Sequence, residues 1–298
     1  MSEPTPVNGF GRDIFQSMRP RHWAKNVLVF VPLVFAQHAG ELLPLFKATA
    51  AFVLFCGLSG AGYLLNDYVD REGDRLHKIK ATRPVASGRL PIGKALQSSV
   101  LLYLVCLVAS FLLNVHFGYV ALVYAAIGIA YSLMLKNLVI VDLFMVAAGY
   151  VLRVVAGAVV IPVTISSWLL ICAMLLSLFI ALSKRSIELR LLQGDAVHHR
   201  KTLAEYNPYL LDQMTAVITS ALLVAYTLYT RSPGTLEKFH TGGLVYTVPF
   251  VLYGIFRYLY LIHVKEGYHT LERVLVTDKP MIVNLILYLL VVGIVLYV

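Results

Sequence analysis

Long apolar runs recur along almost the whole chain, and they constrain its fold more than any other feature. Each run has the roughly 17–25 residues that an α-helix needs to cross the hydrocarbon core of a bilayer. Hydrophobic residues make up 59% of the 298 residues and charged residues only 14%, which is too little charge to cover the surface of a soluble domain. The predicted spans cover residues 23–39, 46–65, 95–113, 118–135, 138–160, 166–183, 212–230, 243–262 and 280–298.

The pattern therefore predicts an all-α polytopic membrane protein with nine transmembrane helices in a single domain, residues 1–298. The first span is the weakest, because it is short and Pro32 interrupts it. The longest connections are expected at about 67–94, 184–211 and 263–279. No cleavable signal pattern precedes the first span.

The distribution of Lys and Arg predicts the orientation. With the N-terminus inside, 20 of the 25 basic residues fall in cytoplasmic segments, 3 fall outside, and Arg153 and Arg257 lie within spans. All three long connections then lie on the cytoplasmic face of a plasma membrane, where we expect a polar cavity.

A cluster of acidic residues ends the second predicted span. Tyr63, Asn66, Asp67, Asp70 and Asp74 recur every three or four residues, so they share one helical face. Carboxylates stacked in this way repel one another unless a cation neutralises them. Mg²⁺ suits such a face, because it takes one or two protein carboxylates and fills its other positions with water and phosphate oxygens.

Basic residues follow the acidic face directly. Lys80 and Arg83 suit phosphate groups that extend beyond a metal. Lys25 and Lys136, at the cytoplasmic ends of two spans, could complete a ring of cations. Asp142 and Arg153 share one face of the fifth span. Arg153 lies too deep for a loop residue and needs an anionic partner, either a protein carboxylate or a substrate phosphate.

A second polar cluster, Lys184, Arg185 and Glu188, follows the sixth span. Two interpretations of it stay open: a phosphate site, or a surface pair between Lys184 and Glu188 one helical turn apart. The neighbouring pair His198-His199 is interpreted as solvated and not as a metal site.

Several of these motifs together resemble the UbiA superfamily of intramembrane prenyltransferases, and within it the decaprenyl-phosphate phosphoribosyltransferase branch. The resemblance covers essentially the whole chain. It is carried by Arg19-Pro20-Arg21-His22-Trp23-x-Lys25-Asn26, Asn66-Asp67-x-x-Asp70-x-x-x-Asp74, Gly149-Tyr150-x-x-Arg153-x-x-Ala156-Gly157 and Lys184-Arg185-x-x-Glu188-Leu189. Most members carry a second acidic motif after the sixth helix, whereas this chain is basic there, which suits a bare phosphate better than a second metal.

The resemblance implies Mg²⁺-dependent transfer of 5-phosphoribose from its 1-diphosphate to a polyprenyl phosphate. It implies catalytic roles for Asp67, Asp70 and Asp74, with Asn66, Asp70 and Asp74 holding the metal. Donor phosphates would be bound by Lys25, Tyr63, Lys80 and Arg83, and the lipid phosphate by Lys136, Arg153, Lys184 and Arg185. The expected partners are phosphoribosyl diphosphate, a polyprenyl phosphate and the bilayer; nucleic acid is not expected, and homo-oligomerisation is left open.

Two alternatives remain at this point. An aromatic prenyltransferase would use a prenyl diphosphate at the same acidic face. A lipid or small-molecule transporter would need polar residues through the full membrane depth, whereas here the charge gathers at one side.

Overall fold

A computed structural model describes residues 9–38, 40–76, 80–192, 205–265 and 271–297. All regular structure in these residues is helical, as predicted. The α-helices are α1 (Phe10–Ser17), α2 (Val31–Phe35), α3 (Leu42–Val69), α4 (Arg71–Leu76), α5 (Ile92–Leu113), α6 (Val115–Leu133), α7 (Val141–Val160), α8 (Ser167–Leu192), α9 (Pro208–Arg231), α10 (Pro233–Phe239), α11 (Val248–His263), α12 (Leu271–Thr277) and α13 (Lys279–Tyr297). Short 3₁₀ helices lie at Pro20–Phe30, Lys80–Thr82, Leu135–Asn137 and Gly243–Thr247.

Eight of the predicted membrane spans are confirmed. Within the described residues, eight helices are long and apolar enough to cross a bilayer: Leu42–Val69, Ile92–Leu113, Val115–Leu133, Val141–Val160, Ser167–Arg190, Pro208–Arg231, Gly243–His263 and Lys279–Leu296. Their outward-facing side chains are largely apolar, as on α5, where Leu101 and Leu104 are each 61% exposed. Lipid solvates such a surface, whereas water would not. The chain is therefore a multi-pass membrane protein.

The first predicted span, 23–39, is not confirmed as a ninth α-helix of this kind. The chain there forms the 11-residue 3₁₀ helix Pro20–Phe30 and the five-residue helix α2. Pro32 lies at the start of α2, where a missing backbone N–H costs nothing. The helix type predicted for this segment was wrong, because apolar composition does not distinguish an α-helix from a 3₁₀ helix.

This 3₁₀ helix nevertheless runs antiparallel to α3 along much of its length. Arg19 pairs with Asp67 near one end of α3, the Asn26 amide contacts Ser59 at 3.3 Å, and the rings of Phe30 and Phe52 lie 5.6 Å apart. Eleven residues at about 2.0 Å each rise about 22 Å. The fifteen steps of α-helix from Phe52 to Asp67 also rise about 22 Å. The more extended 3₁₀ form thus matches the depth of α3 with fewer residues.

The chain divides into two compact units. The first comprises residues 1–145 and 152–163, and the second comprises residues 146–151 and 164–298. The core of the first unit is apolar and includes Phe55, Leu58 and Phe117, all fully buried. Gly157 of α7 lies so close to the 3₁₀ helix that a Cβ atom there would overlap the backbone carbonyl of Val29.

In the second unit, α8 packs along α9 and α11 packs along α13. The Asn207 side chain caps α9 by accepting a hydrogen bond from the Leu210 N–H at 2.7 Å. Phe179 and Tyr258 meet edge to face, with ring centroids 5.5 Å apart. Arg257 donates to both carboxylate oxygens of Asp278, at 3.1 and 2.9 Å, which ties α11 to the start of α13.

One predicted connection, 184–211, differs from expectation. Helix α8 continues to Leu192, so residues 184–192 are helical and not part of a loop. The remainder of the 184–211 connection, including His198-His199, lies largely outside the described residues, as do parts of the 67–94 and 263–279 connections.

Candidate active site

The acidic face lies where α3 gives way to α4. Asp70 ends α3, and the backbone hydrogen bonds continue through it: the Asp70 N–H donates to the Asn66 carbonyl at 2.9 Å, and the Asp74 N–H donates to the Asp70 carbonyl at 2.8 Å. The helical path therefore passes almost unbroken from α3 into α4. This continuity places Asp67 and Asp74, seven residues apart, on the same side.

Basic side chains from distant parts of the chain neutralise all three aspartates. Arg19 pairs with Asp67. Arg83 bridges two carboxylates, with Nη1 3.4 Å from Asp67 Oδ1 and 2.5 Å from Asp74 Oδ2. Lys136 pairs with Asp70. The charge balance that an acidic face requires is thus supplied here by three protein cations.

The three aspartates differ sharply in exposure. The side chains of Asp67 and Asp74 are only 2% and 6% exposed, whereas that of Asp70 is 35% exposed. Asp67 and Asp74 are therefore held in buried ion pairs, which are costly to break once formed. Asp70 is the carboxylate of this face that a ligand can reach from water.

The oxygen donors at Asp70 fit a magnesium ion. The Asn66 side-chain amide donates from its nitrogen to Asp70 Oδ2 at 3.0 Å, so the two side chains are adjacent, and each carries an oxygen of the type that Mg²⁺ binds. Mg²⁺ needs only one or two protein carboxylates when water and phosphate oxygens complete its shell. Among the described residues, no group of three His, Cys, Asp or Glu side chains is arranged to hold a metal ion.

Arg19 joins this site although its role was not predicted from the sequence. Its backbone is left-handed, with φ 53° and ψ 66°, a conformation that costs a non-glycine residue about 1–2 kcal/mol. Its guanidinium lies 4.7 Å from the centre of the Tyr63 ring while it also pairs with Asp67. The following Pro20 is a usable signal, because proline disfavours the right-handed helical conformation in the residue before it.

Arg153 is buried in the first unit among a small set of polar side chains. It donates from Nε to the Asn26 carbonyl oxygen and from Nη2 to the Tyr124 hydroxyl, both at 2.7 Å. Its guanidinium also lies 4.9 Å from the centre of the Tyr124 ring. Lys25 lies in the same 3₁₀ helix as Asn26 and is partly exposed. Arg153 therefore anchors the N-terminal 3₁₀ helix, through Asn26, to α6 and α7.

The remaining predicted site residues have these positions. Lys80 begins the 3₁₀ helix Lys80–Thr82 and is partly exposed, and Asp142 at the start of α7 is fully buried. Lys184 and Arg185 belong to the second unit. Lys184 is exposed, whereas the buried Arg185 pairs with Glu188 at 2.6 Å. Glu188 therefore forms an ion pair with Arg185, whereas the sequence spacing predicted a pair with Lys184.

One cavity in the second unit has a volume of about 380 Å³ and is lined by Asp212, Thr215, Ala216, Leu259, Tyr260 and His263. None of the predicted site residues lines it. The polar cavity predicted at the cytoplasmic side is not confirmed.

Comparisons with known proteins agree with the sequence resemblance. Decaprenyl-phosphate phosphoribosyltransferase from Mycolicibacterium smegmatis is 33% identical over 237 residues, which cover 78% of this chain and 74% of the relative. The protein of the same name from Corynebacterium glutamicum is 34% identical over 228 residues, which cover 75% of this chain and 69% of the relative.

The fold is also that of a solved structure, a UbiA homolog from Archaeoglobus fulgidus bound to GPP and Mg²⁺. The TM-score is 0.73 at 16% identity, covering 96% of this chain and all of the other. The characteristic sequence profile of the UbiA prenyltransferase family matches residues 27–275. This match includes the last residues of the 3₁₀ helix, the acidic face and most of both units. The chain is a membrane-embedded transferase and belongs to the UbiA prenyltransferase family.

Proposed function

We propose that the protein transfers 5-phosphoribose from 5-phospho-α-D-ribose 1-diphosphate to a polyprenyl phosphate of the decaprenyl type and releases diphosphate. The observation that carries the proposal is the similarity, over about three quarters of the chain, to two proteins named decaprenyl-phosphate phosphoribosyltransferase. The basic character of Lys184 and Arg185, where most family members have a second acidic motif, supports the same choice.

Asn66 and Asp70 would hold the magnesium ion, because their side chains are adjacent and Asp70 is the partly exposed aspartate of the acidic face. When bound, Mg²⁺ would stabilise the negative charge that develops on the departing diphosphate. Asp67 and Asp74 serve the reaction indirectly: their buried ion pairs fix the side chains of Arg19 and Arg83. Each guanidinium then keeps N–H donors for a phosphate oxygen, since a guanidinium has five.

The donor phosphates are assigned to Lys25, Tyr63, Lys80 and Arg83, with Arg19 added because of its contact with Tyr63. The lipid phosphate is assigned to Lys136, Lys184 and Arg185. The lipid phosphate is already anionic at neutral pH, so the reaction needs no general base. The contacts of Arg153 with Asn26 and Tyr124 favour a positioning role over the phosphate contact predicted for it.

The orientation of the chain in the membrane follows from the same charge distribution. The ends of α3 and α4 that carry the acidic face would lie at the cytoplasmic side of the plasma membrane, as the Lys and Arg distribution predicts. Both units would act as one catalytic domain.

The nearest rival is an aromatic prenyltransferase, because the similar fold from Archaeoglobus fulgidus binds GPP and Mg²⁺. Purified protein incubated with Mg²⁺ and a panel of donors and acceptors separates the two. Labelled phosphoribosyl diphosphate should pass its label to prenyl phosphates and not to aromatic acids. Transfer of a prenyl group from a prenyl diphosphate to an aromatic acid, with no ribose label in lipid, would establish the rival.

A further inference from the structure

Lys136 differs from the other two cations of the acidic face in ways that bear on metal binding. Arg19 and Arg83 are paired with the buried carboxylates of Asp67 and Asp74, whereas Lys136 is paired with the exposed carboxylate of Asp70. Asp70 is also the residue whose neighbour Asn66 completes a pair of metal-type oxygen donors. The ammonium group of Lys136 thus lies on one oxygen of the carboxylate that a divalent cation would use.

Lys136 is itself buried, with its side chain only 9% exposed. It lies in the 3₁₀ helix Leu135–Asn137 between α6 and α7, where the Asn137 N–H donates to the Met134 carbonyl at 3.1 Å. A buried ammonium without an anionic partner costs several kcal/mol. Lys136 can therefore give up Asp70 readily only when another anion, such as a phosphate, comes within reach.

The chemistry of the side chains separates permanent from exchangeable pairs. Arginine presents several N–H donors fixed in one plane. Arg83 contacts two carboxylates at once, donating from Nη1 to both Asp67 and Asp74. Lysine is a compact point charge on a flexible stem, and its donors can be redirected by rotation. Of the three cations, the lysine is thus the one suited to change partners.

We propose that Lys136 exchanges one anionic partner for another. Without a divalent cation it pairs with Asp70. When a divalent cation binds Asp70, the Lys136 ammonium pairs with a substrate phosphate instead. Divalent cation and phosphate binding are consequently coupled, because each removes the cost that the other would meet alone. The exchange requires only a phosphate-bearing ligand, and its assignment to the lipid phosphate rests on the proposed function.

The test is a titration of the purified full-length protein with Mn²⁺, followed by electron paramagnetic resonance, with no ribose donor and no lipid substrate. Replacing Lys136 with the uncharged Met removes the competitor for Asp70, so K136M should bind Mn²⁺ about tenfold more tightly than the unaltered protein, a difference of about 1.4 kcal/mol. Lys136→Arg, which keeps a cation on Asp70, should not show this gain. Lys94→Met, at an exposed position in the first turn of α5, is the matched control and should leave binding unchanged.

Inorganic diphosphate then probes the coupling. In the unaltered protein it should tighten Mn²⁺ binding markedly, since it gives Lys136 a new partner, and the effect should be much smaller in Lys136→Met. Asp70→Asn should abolish high-affinity Mn²⁺ binding, both in the otherwise unaltered protein and in Lys136→Met.

Unchanged or weaker Mn²⁺ binding by a folded Lys136→Met protein would overturn the proposal, as would a tight site that survives Asp70→Asn. A prenyl diphosphate enzyme would pass this titration yet fail the phosphoribosyl assay, so failure of the exchange and failure of the proposed function are distinguishable.

Discussion

At the scale of single residues, the aspartates of the acidic face differ in how far water can reach them. Three aspartates that look equivalent in the sequence occupy two environments, because Asp67 and Asp74 are buried against arginines and Asp70 is partly exposed beside Asn66. Their spacing predicted a shared face and a need for cations. It could not predict which cation meets which carboxylate, since Arg19 is 48 residues from Asp67 and Lys136 is 66 residues from Asp70.

Replacing Asp70 with Ala should abolish transfer and the dependence on divalent cation in a protein that still folds, with a lowered unfolding temperature because the buried Lys136 loses its partner. We expect a loss of at least about a hundredfold in rate, or about 2.7 kcal/mol, because the charge on the departing diphosphate loses its main source of stabilisation. Transfer rates at several Mg²⁺ concentrations measure the effect, and a thermal unfolding profile confirms folding. Near-normal transfer by folded Asp70→Ala at low Mg²⁺ would contradict the metal assignment.

At the scale of elements, the N-terminal 3₁₀ helix is the feature that sequence analysis described least well. Its depth and direction follow from contacts that no local pattern encodes: Arg19 with Asp67, Asn26 with Ser59 and Arg153, and Val29 against Gly157. The eight long spans were predictable because hydropathy summed over about 18 or more residues outweighs local irregularities. The 3₁₀ helix has only 11 residues, too few for summed hydropathy to outweigh local irregularities in the same way.

Gly157→Ala should be strongly destabilising. The added Cβ would overlap the Val29 carbonyl oxygen. Because a Cβ atom cannot rotate away and the oxygen belongs to the backbone, only separation of α7 from the 3₁₀ helix relieves the clash, at a cost of about 3 kcal/mol. Gly128→Ala is the matched control: its Cβ would lie 3.5 Å from the Tyr103 hydroxyl, an ordinary contact, so helix propensity makes it neutral or stabilising. Equal unfolding temperatures for the two variants in detergent would refute the close approach.

The link between α11 and α13 should make stability depend on pH. The hydrogen bonds from Arg257 hold the pKa of Asp278 below its ordinary value. A carboxyl whose pKa is lowered by folding stabilises the folded state above its unfolded pKa of about 3.9, and the contribution is lost as pH falls further, through the folded pKa. The unfolding temperature should therefore drop below about pH 4 by more in the unaltered protein than in Asp278→Asn. Identical acid profiles would show that this pair does not stabilise the fold.

At the scale of the whole molecule, the distribution of charge makes the orientation testable. Arg89 pairs with Asp13 and so lies with the N-terminal segment that reaches the acidic face, whereas Leu42 begins α3 at its opposite end. Single cysteines at Leu42 and Glu237 should react with a membrane-impermeant maleimide added outside intact cells, and a cysteine at Arg89 should react only after permeabilisation. The reverse pattern would place the site on the wrong side of the membrane for a cytoplasmic donor.

The central claim, transfer of phosphoribose with loss of diphosphate, is tested most directly by a donor labelled in two places. Phosphoribosyl diphosphate carrying one label in the ribose ring and another in its β-phosphate is incubated with purified protein, Mg²⁺ and decaprenyl phosphate. The account predicts that the ribose label enters the lipid fraction while the phosphorus label stays in water as diphosphate, in equal amounts and only with intact Asp70. Ribose label that stays wholly in water, or phosphorus label that enters the lipid, would contradict it.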